Sequence, residues 1–396
     1  MHLDSYRDAI GRLCEIAPST TGCGTASSPY ATGYGYNAAS QPTGFKYGNG
    51  IFASFGFSSD RLQLNCLDYS TTNRSGNCTH DSTTKFGLSY SYGASGSNNG
   101  QIAGITDSVD SGRSATYTYD ALYRLSTAAT TGSTGYPAWG LQWTYDRYGN
   151  ALSEAQTAGA PPSYSVTVAT ASNHITGSPF AYDANGNMTN DGNNTLVYDS
   201  ENHAVSATNG GSSGAYSYDG NGLRMRKVSG GTTTVYIFSG SKVIAEYDNG
   251  AAPSSPSREY IYSGGTLLAK IDSSGTKYYH QDRLSNRLIT DSSGNTVAQM
   301  GHFPYGESWY NASGDKLIFT SYERDSESGN DYARARYYVN RLARFSSTDP
   351  VGGSAANPQS LNRYTYALSA PIRSSRSHRN APRLHDPQEF SNPDFL

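Results

Sequence analysis

The pair Tyr-Asp recurs along this chain, often followed within a few residues by Gly, and it constrains the fold more than any single candidate catalytic residue. The pairs are Tyr119-Asp120, Tyr145-Asp146, Tyr182-Asp183, Tyr198-Asp199, Tyr218-Asp219 and Tyr247-Asp248. Internal repeats at such spacing are the signature of repeat architectures, which must be recognised before any site is interpreted. The pairs therefore predict a β-repeat array.

Each part of the repeat has a physical reason to form a hairpin. Tyr ends segments such as Thr116-Tyr117-Thr118-Tyr119, in which Tyr and Thr suit a pleated, half-exposed strand. Asp accepts a hydrogen bond from the backbone two residues on, and a following Asn or Gly tolerates the positive φ of a tight turn. The sequence therefore predicts an all-β fold, an antiparallel array of hairpins. We expect strands from about residue 40 to 345, with helix limited to short pieces near the C-terminal motifs.

The composition supports a broad sheet with little ordinary core. Hydrophobic residues make up 36% of the chain, below the roughly 45–50% of an average globular domain. Gly and Tyr are abundant at 43 and 33 residues, the charged fraction is 15%, and the net charge is −3. No basic stripe is present to neutralise phosphates, and no apolar run approaches the ~20 residues of a membrane-spanning helix. We therefore expect neither a nucleic-acid surface nor a membrane span.

Changes in composition divide the chain into four regions. Residues 1–85 form a degenerate β-repeat region rich in Gly, Ser and Tyr, and residues 86–300 hold the clear hairpins. Residues 301–371 carry more charge and longer side chains, and residues 372–396 have no period and are expected to form a loosely ordered tail. The N-terminus has neither a basic segment nor an apolar run, so no signal peptide is predicted.

The four cysteines all lie in the first of these regions, at Cys14, Cys23, Cys66 and Cys78. No Cys-x-x-Cys pair is present, which disfavours a zinc site. Two disulfides would form in an oxidising compartment, but the favoured interpretation is unpaired cysteines that act as small packing residues.

Several spaced motifs occur together with the repeats, and the chain resembles the RHS/YD-repeat proteins over residues 85–371. The resemblance rests on the Tyr-Asp pairs and on the stretches that begin at His280, Phe303 and Tyr322 and continue through Gly352. It implies a spiralling sheet that forms part of a hollow shell, with a C-terminal core domain that plugs one end. It also implies that the shell encapsulates a C-terminal toxin or effector. We expect a truncated shell segment without a passenger, whose partners are an effector or a neighbouring shell segment.

The same resemblance implies an aspartyl self-cleavage site in the core domain. In the family an Arg of an Arg-Tyr-Tyr motif acts with two Asp residues in successive Asp-Pro-x-Gly motifs, and Arg336 and Asp349 match the Arg and the first Asp. The chemistry needs two close carboxyl groups, one ionised and one protonated. The second motif is missing, and Asp386-Pro387 lacks the Gly. We therefore predict that the site is inactive and that the protein is not an enzyme, with Asp349 forming a turn and Arg336 pairing with a nearby carboxylate.

Other sites have weaker support in the sequence. His280 and Asp282 carry metal-ligand groups, but no third ligand is apparent, so neither a metal nor a cofactor is expected. Tyr-rich polar sheets can stack sugars, so a cell-surface protein that binds glycans or mediates adhesion is the alternative function. An enzyme would need a nucleophile-base pair or a phosphate loop, and neither is visible. A secreted or cell-surface location follows from the resemblance alone.

Overall fold

The computed structural model describes residues 3–19, 21–74, 76–94, 96–311 and 315–372, so the predicted tail lies outside the described residues except for Ile372. These residues form two large antiparallel sheets of 13 and 14 strands, a two-stranded sheet and a four-stranded sheet. In both large sheets each strand pairs with the next along the chain. The predicted all-β hairpin array is therefore confirmed, although strands begin well before residue 40.

The first sheet contains β1 (Asp4–Arg7), β2 (Leu13–Ala17), β3 (Ala31–Tyr36), β4 (Pro42–Tyr47), β5 (Phe52–Phe57), β6 (Leu64–Ser70), β7 (Thr84–Ser91), β8 (Gly104–Asp107), β9 (Ala115–Tyr119), β10 (Leu125–Thr130), β11 (Gly140–Tyr145), β12 (Ala151–Ala158) and β13 (Tyr164–Ser165). The two-stranded sheet contains β14 (Thr167–Ala169) and β15 (His174–Thr176).

The second large sheet contains β16 (Ala181–Tyr182), β17 (Met188–Asn190), β18 (Thr195–Tyr198), β19 (Ala204–Asn209), β20 (Ser212–Tyr218), β21 (Arg224–Ser229), β22 (Thr232–Ser239), β23 (Lys242–Asp248), β24 (Arg258–Ser263), β25 (Thr266–Asp272), β26 (Gly275–Gln281), β27 (Asn286–Thr290), β28 (Thr296–His302) and β29 (Ser308–Asn311). The four-stranded sheet contains β30 (Glu323–Arg324), β31 (Asp331–Tyr332), β32 (Tyr337–Val339) and β33 (Arg344–Phe345).

The helices of the described residues are short 3₁₀ turns at Ser111–Arg113, Asn340–Leu342, Pro358–Leu361 and Ala367–Ser369. The last three lie near the C-terminal motifs, as predicted. The first does not, and it forms because the Asp110 side chain accepts a hydrogen bond from the Gly112 N–H at its start. No helix in this part of the chain is long and apolar enough to cross a membrane.

The Tyr-Asp turns form by the predicted hydrogen bonds. Oδ1 of Asp219 accepts from the N–H of Asn221, two residues on, at 2.9 Å and from the N–H of Leu223, four residues on, at 2.8 Å. Asp120, Asp146, Asp183 and Asp199 make the same two bonds. The sixth pair differs, because the Asp248 carboxylate accepts from the Thr234 hydroxyl and the Arg258 guanidinium instead. In the five turns the residue three after the Asp has a positive φ, as at Gly222 (76°). That residue is Gly or Asn, for which a positive φ costs least, in every one of these turns except that of Asp120, where it is Tyr123.

The tyrosine of the repeat ties each hairpin to an earlier strand. The hydroxyl of Tyr145 donates to the Leu125 carbonyl at 2.7 Å, and that of Tyr218 donates to the Ala204 carbonyl at 2.6 Å. Tyr119 and Tyr198 make equivalent bonds. Each repeat thus buries an aromatic ring and satisfies its hydroxyl, as a buried tyrosine requires.

The two large sheets pack against each other through strands distant in the chain. The hydroxyls of Tyr47 and Tyr69 donate to the carbonyls of Tyr279 at 3.0 Å and Gln281 at 2.7 Å. The Asn49 amide donates to the Thr290 hydroxyl at 2.7 Å. Buried side chains from both sheets and from the C-terminal residues form one large hydrophobic cluster. The first sheet therefore folds over the second.

The preference for unpaired cysteines is wrong. Disulfides join Cys14 to Cys23 and Cys66 to Cys78, with Cα atoms 5.5 and 6.0 Å apart. Each bond links a strand residue, on β2 or β6, to the irregular segment that follows the strand. The chain turns back there and brings the Cα atoms within the range a disulfide spans, which residue spacing alone does not reveal.

The predicted region boundaries fall within continuous structure. Position 85 lies inside β7, and position 300 lies inside β28, which pairs on both sides within the second sheet. The division into regions stays a prediction from composition.

Candidate functional site

Residues 315–372, named here the plug, lie between the two large sheets. On the first sheet's side the Asn362 amide donates to Oδ1 of Asn150 at 2.8 Å. On the second sheet's side the Tyr364 hydroxyl donates to the Gly186 carbonyl at 2.7 Å. Tyr338 and Tyr366 are fully buried in the shared hydrophobic cluster. The plug therefore contacts both large sheets and shares their hydrophobic cluster.

A buried ion network fastens the plug to the second sheet. Arg224 is 1% exposed, and its guanidinium donates to Oδ2 of Asp325 and to the Tyr337 hydroxyl, each at 2.6 Å. It also lies 3.2 Å from Oε1 of Glu323. Lys227 is 2.5 Å from Oδ1 of Asp325. Two cations of β21 thus meet carboxylates of the plug, each with several partners, as buried charges require.

The electrostatics of this network favour the ionised forms. Burial alone would raise the pKa of Glu323, but Lys316, Arg224 and Lys227 surround its carboxylate and lower the pKa below its ordinary value. Burial would likewise lower the pKa of Arg224, but Asp325 and other neighbours raise it. Glu323 and Arg224 are therefore both charged throughout the neutral range.

A second anchor joins the plug to a different part of the second sheet. The Arg341 guanidinium donates to the carbonyl and carboxylate of Asp191, which is 1% exposed. The Asn330 amide donates to the same carboxylate at 2.7 Å. Asp191 lies in the turn between β17 and β18, so the second sheet holds the plug at two separated points.

The structure brings Arg336 and Asp349 together. Nη2 of Arg336 is 2.9 Å from Oδ2 of Asp349, and its guanidinium lies 3.7 Å from the centre of the Phe345 ring. Oδ1 of Asp349 accepts from the Val351 N–H at 3.0 Å, which is the turn predicted for this motif. The pair thus makes the ion pair and the turn of the structural interpretation. Asp386, the remaining candidate for a second carboxylate, lies outside the described residues.

His280 and Asp282 contact other side chains of the second sheet. His280 is fully buried, and its Nε2 is 2.8 Å from the Thr290 hydroxyl. Burial lowers its pKa to about 3. Asp282 lies 3.5 Å from Arg287. No group of three or more metal-ligating side chains occurs in the part of the chain that the structure describes.

A cleft of about 400 Å³ opens between β21–β26 and the plug. Tyr236, Tyr260 and Tyr279 line it, and their hydroxyls donate to Glu323, Glu246 and Asp315. Lys316 lies over the Tyr236 ring and Lys270 over the Tyr279 ring. These contacts use the hydroxyls and ring faces that a sugar would need, so the cleft adds no support to glycan binding.

Sequence reasoning did not identify Arg224, Asp325 or Asp191 as anchors. Asp325 stands within the motif beginning at Tyr322, but nothing in the sequence pairs it with Arg224, 101 residues earlier. The sequence did contain one signal that could have identified the anchors. In an otherwise weakly charged chain, basic residues cluster at Arg224–Lys227 and acidic residues cluster at Glu323–Glu327.

Comparison with known proteins agrees with this architecture. The family model described as teneurin YD-shell matches residues 63–372. The tRNA3(Ser)-specific nuclease WapA of Bacillus spizizenii is 28% identical over 249 residues, which cover 59% of this chain and 10% of that protein. The tRNA(Glu)-specific nuclease WapA of Bacillus subtilis subsp. natto is 30% identical over 202 residues, which cover 48% of this chain and 9% of that protein. The chain thus spans about a tenth of the length of these relatives.

Solved structures share the fold at low identity. A crystal structure of TcdB2-TccC3 matches with a TM-score of 0.74 at 19% identity, and the match covers 94% of this chain and 21% of that chain. The Photorhabdus luminescens Tc holotoxin pore matches with a TM-score of 0.72 at 18% identity, covering 96% of this chain and 21% of that chain.

Proposed function

Because the chain belongs to the teneurin YD-shell family, we propose that it is a wall-and-plug segment of a shell that encloses the polypeptide following the plug. The shell-type fold supports a structural rather than an enzymatic role for the described residues. In this proposal the enclosed partner is a C-terminal toxin or effector, or a neighbouring part of the same shell.

The observation that carries the proposal is the position of Ile372. This residue is 4% exposed and lines a small cavity together with Tyr90 and Ile102 of the first half of the chain and Trp309 of the second sheet. The last described residue of the plug therefore lies on its buried side, against residues of both sheets. A passenger joined to this point would begin inside the enclosed space.

Two further observations support parts of the proposal. The disulfides Cys14–Cys23 and Cys66–Cys78 are typical of proteins that reach an oxidising compartment, which supports a location outside the cytosol. The Arg336–Asp349 ion pair supports a structural role for the cleavage-like motif. We propose that this pair holds the end of the plug in place and does not release a passenger.

Protease accessibility tests the proposal. The recognition sequence of a site-specific protease is inserted directly after Ile372, and in a matched control between Gly210 and Gly211, in the exposed turn between β19 and β20. We expect native cleavage after Ile372 to be at least tenfold slower than in the control turn. Circular dichroism and the urea midpoint verify that both insertions leave the fold intact. Equal cleavage rates in two folded proteins would contradict an enclosed exit.

A further inference from the structure

Two buried glutamates meet where the two large sheets join. Glu154 lies on β12 of the first sheet and Glu307 lies in the turn between β28 and β29 of the second. They are 2% and 9% exposed, and each has a buried carboxyl oxygen, Oε1 of Glu154 and Oε2 of Glu307, that receives no N–H or O–H donor from the described residues. The electrostatics of the site place the two carboxyl groups close enough to share a side-chain hydrogen bond. A hydrogen bond between carboxyl groups requires a proton on one of them.

The surroundings place that proton on Glu154. The Trp143 indole N–H donates to Oε2 of Glu154 at 2.8 Å, while Oε1 has no N–H or O–H donor among the described residues. Arg324 and Arg341 face Glu307 and favour its ionised form. These two arginines are also paired with Asp331 and Asp191, so they do not neutralise a second carboxylate at the join.

The titration of the pair follows from this arrangement. Burial, and then the charge of Glu307, raises the pKa of Glu154 to about 9. Burial raises the pKa of Glu307 to about 7, against the opposing effects of the hydrogen bond from Glu154 and of the two arginines. The hydroxyls of Tyr164 and Tyr305 also lie near the pair, and burial raises the pKa of both, so they stay neutral while the glutamates titrate.

We propose that Glu154 and Glu307 form a proton-dependent latch between the two large sheets. The latch is closed while the carboxyl groups share a proton, and it loosens when the proton leaves and two carboxylates face each other in a buried site. The join would therefore be tight in mildly acidic to neutral solution and weaker in alkaline solution. This is a property of the wall itself and holds whether or not the segment encloses a passenger.

The chain contains a built-in reporter of this join. All three tryptophans lie there. The Trp139 ring is 5.1 Å from Phe303 and 5.6 Å from Trp309, and the Trp143 ring is 5.6 Å from Tyr305, with ring centroids as the reference points. Trp139 and Trp143 are 4% and 3% exposed. Tryptophan fluorescence therefore reports on the latch with no added label.

The test is acrylamide quenching of tryptophan fluorescence between pH 5 and 10.5. In the wild type we expect the quenching constant to rise at least twofold, with its midpoint at about pH 9, where the shared proton leaves Glu154. Glu154→Gln and Glu307→Gln keep a hydrogen-bonding side chain but remove the repulsion, so the rise should disappear. The control Glu201→Gln makes the same charge change at a side chain that is 72% exposed and should keep the wild-type rise.

Two outcomes would overturn the proposal. One is a wild-type quenching constant that does not change with pH, a result that needs no variant to fold. The other is a rise that persists in both glutamine variants. As an independent check, infrared spectra at pH 7.5 should contain a protonated carboxyl C=O band that Glu154→Gln removes, and absence of the band from the wild type would equally contradict the latch.

Discussion

Replacement of Arg224 by methionine should loosen the plug, because it removes the central cation of the network that fastens the plug to the second sheet. The variant loses the charge-assisted bonds to Asp325 and Tyr337, each 2.6 Å long, and the ion pair with Glu323 at 3.2 Å. Methionine retains the unbranched, flexible stem of the arginine side chain but lacks its guanidinium group. The change therefore tests the charge more than the packing.

The magnitude follows from the partners that remain. Breaking a buried ion pair costs about 3–5 kcal/mol, because the remaining charge stays buried without compensation. Asp325, which is fully buried, keeps Lys227 at 2.5 Å, so the lower end of that range applies. We expect Arg224→Met to lower the free energy of unfolding by about 3 kcal/mol.

The assay is urea unfolding at neutral pH, followed by circular dichroism and tryptophan fluorescence. The matched control is Arg12→Met, because Arg12 and its partner Asp8 are 32% and 27% exposed. Such a surface pair contributes at most about 1 kcal/mol. In a double-mutant cycle, Arg224→Met and Asp325→Asn together should cost less than the sum of the single changes by about 1–2 kcal/mol. If Arg224→Met costs no more than Arg12→Met, the network does not fasten the plug.

Three further predictions concern acid, reduction and cleavage. Burial lowers the pKa of His280 to about 3 and of His302 to about 4, both below the unfolded value near 6.5. The free energy of unfolding is therefore full above pH 6.5 and falls as the pH drops below that value, by about 2 kcal/mol per histidine at pH 5. Urea unfolding at pH 5 should show a smaller loss of this free energy in His280→Gln than in the wild type. Replacing Cys66 and Cys78 with serine should lower the free energy of unfolding by about 2–4 kcal/mol, and an unchanged urea midpoint would count against a stabilising role. Intact-mass spectrometry should find one chain of about 42.4 kDa in the wild type and no cleavage product in either the wild type or Asp349→Ala, whereas loss of a C-terminal peptide from the wild type alone would reveal an active site.

The local chemistry of the repeat was predictable from the sequence. In five of the six Tyr-Asp pairs the Asp bonds to the N–H groups two and four residues on, as at Asp219, so all the residues that form the turn lie within a short stretch of the sequence. The predicted order of hairpins and the resemblance to RHS/YD-repeat proteins were also confirmed. Both depend on motifs whose residues are close together in the sequence.

The long-range pairings were not predictable in this way. Arg224 and Asp325 lie 101 residues apart, and Glu154 and Glu307 lie on different sheets. Their meeting depends on how the first sheet folds over the second and on where the plug enters, and no periodicity in the sequence carries that information. The cysteines were misjudged for a related reason, because the return of the chain after β2 and after β6 is irregular.

Hydrogen–deuterium exchange of the plug, read peptide by peptide, tests the central claim most directly. If the two sheets enclose residues 315–372, peptides from 323–345 should exchange as slowly as the central strands of the large sheets, and Arg224→Met should speed their exchange more than that of the strands. Exchange of the plug within seconds, while β5–β7 and β24–β27 stay protected, would contradict the account and show a plug that is not held between the sheets.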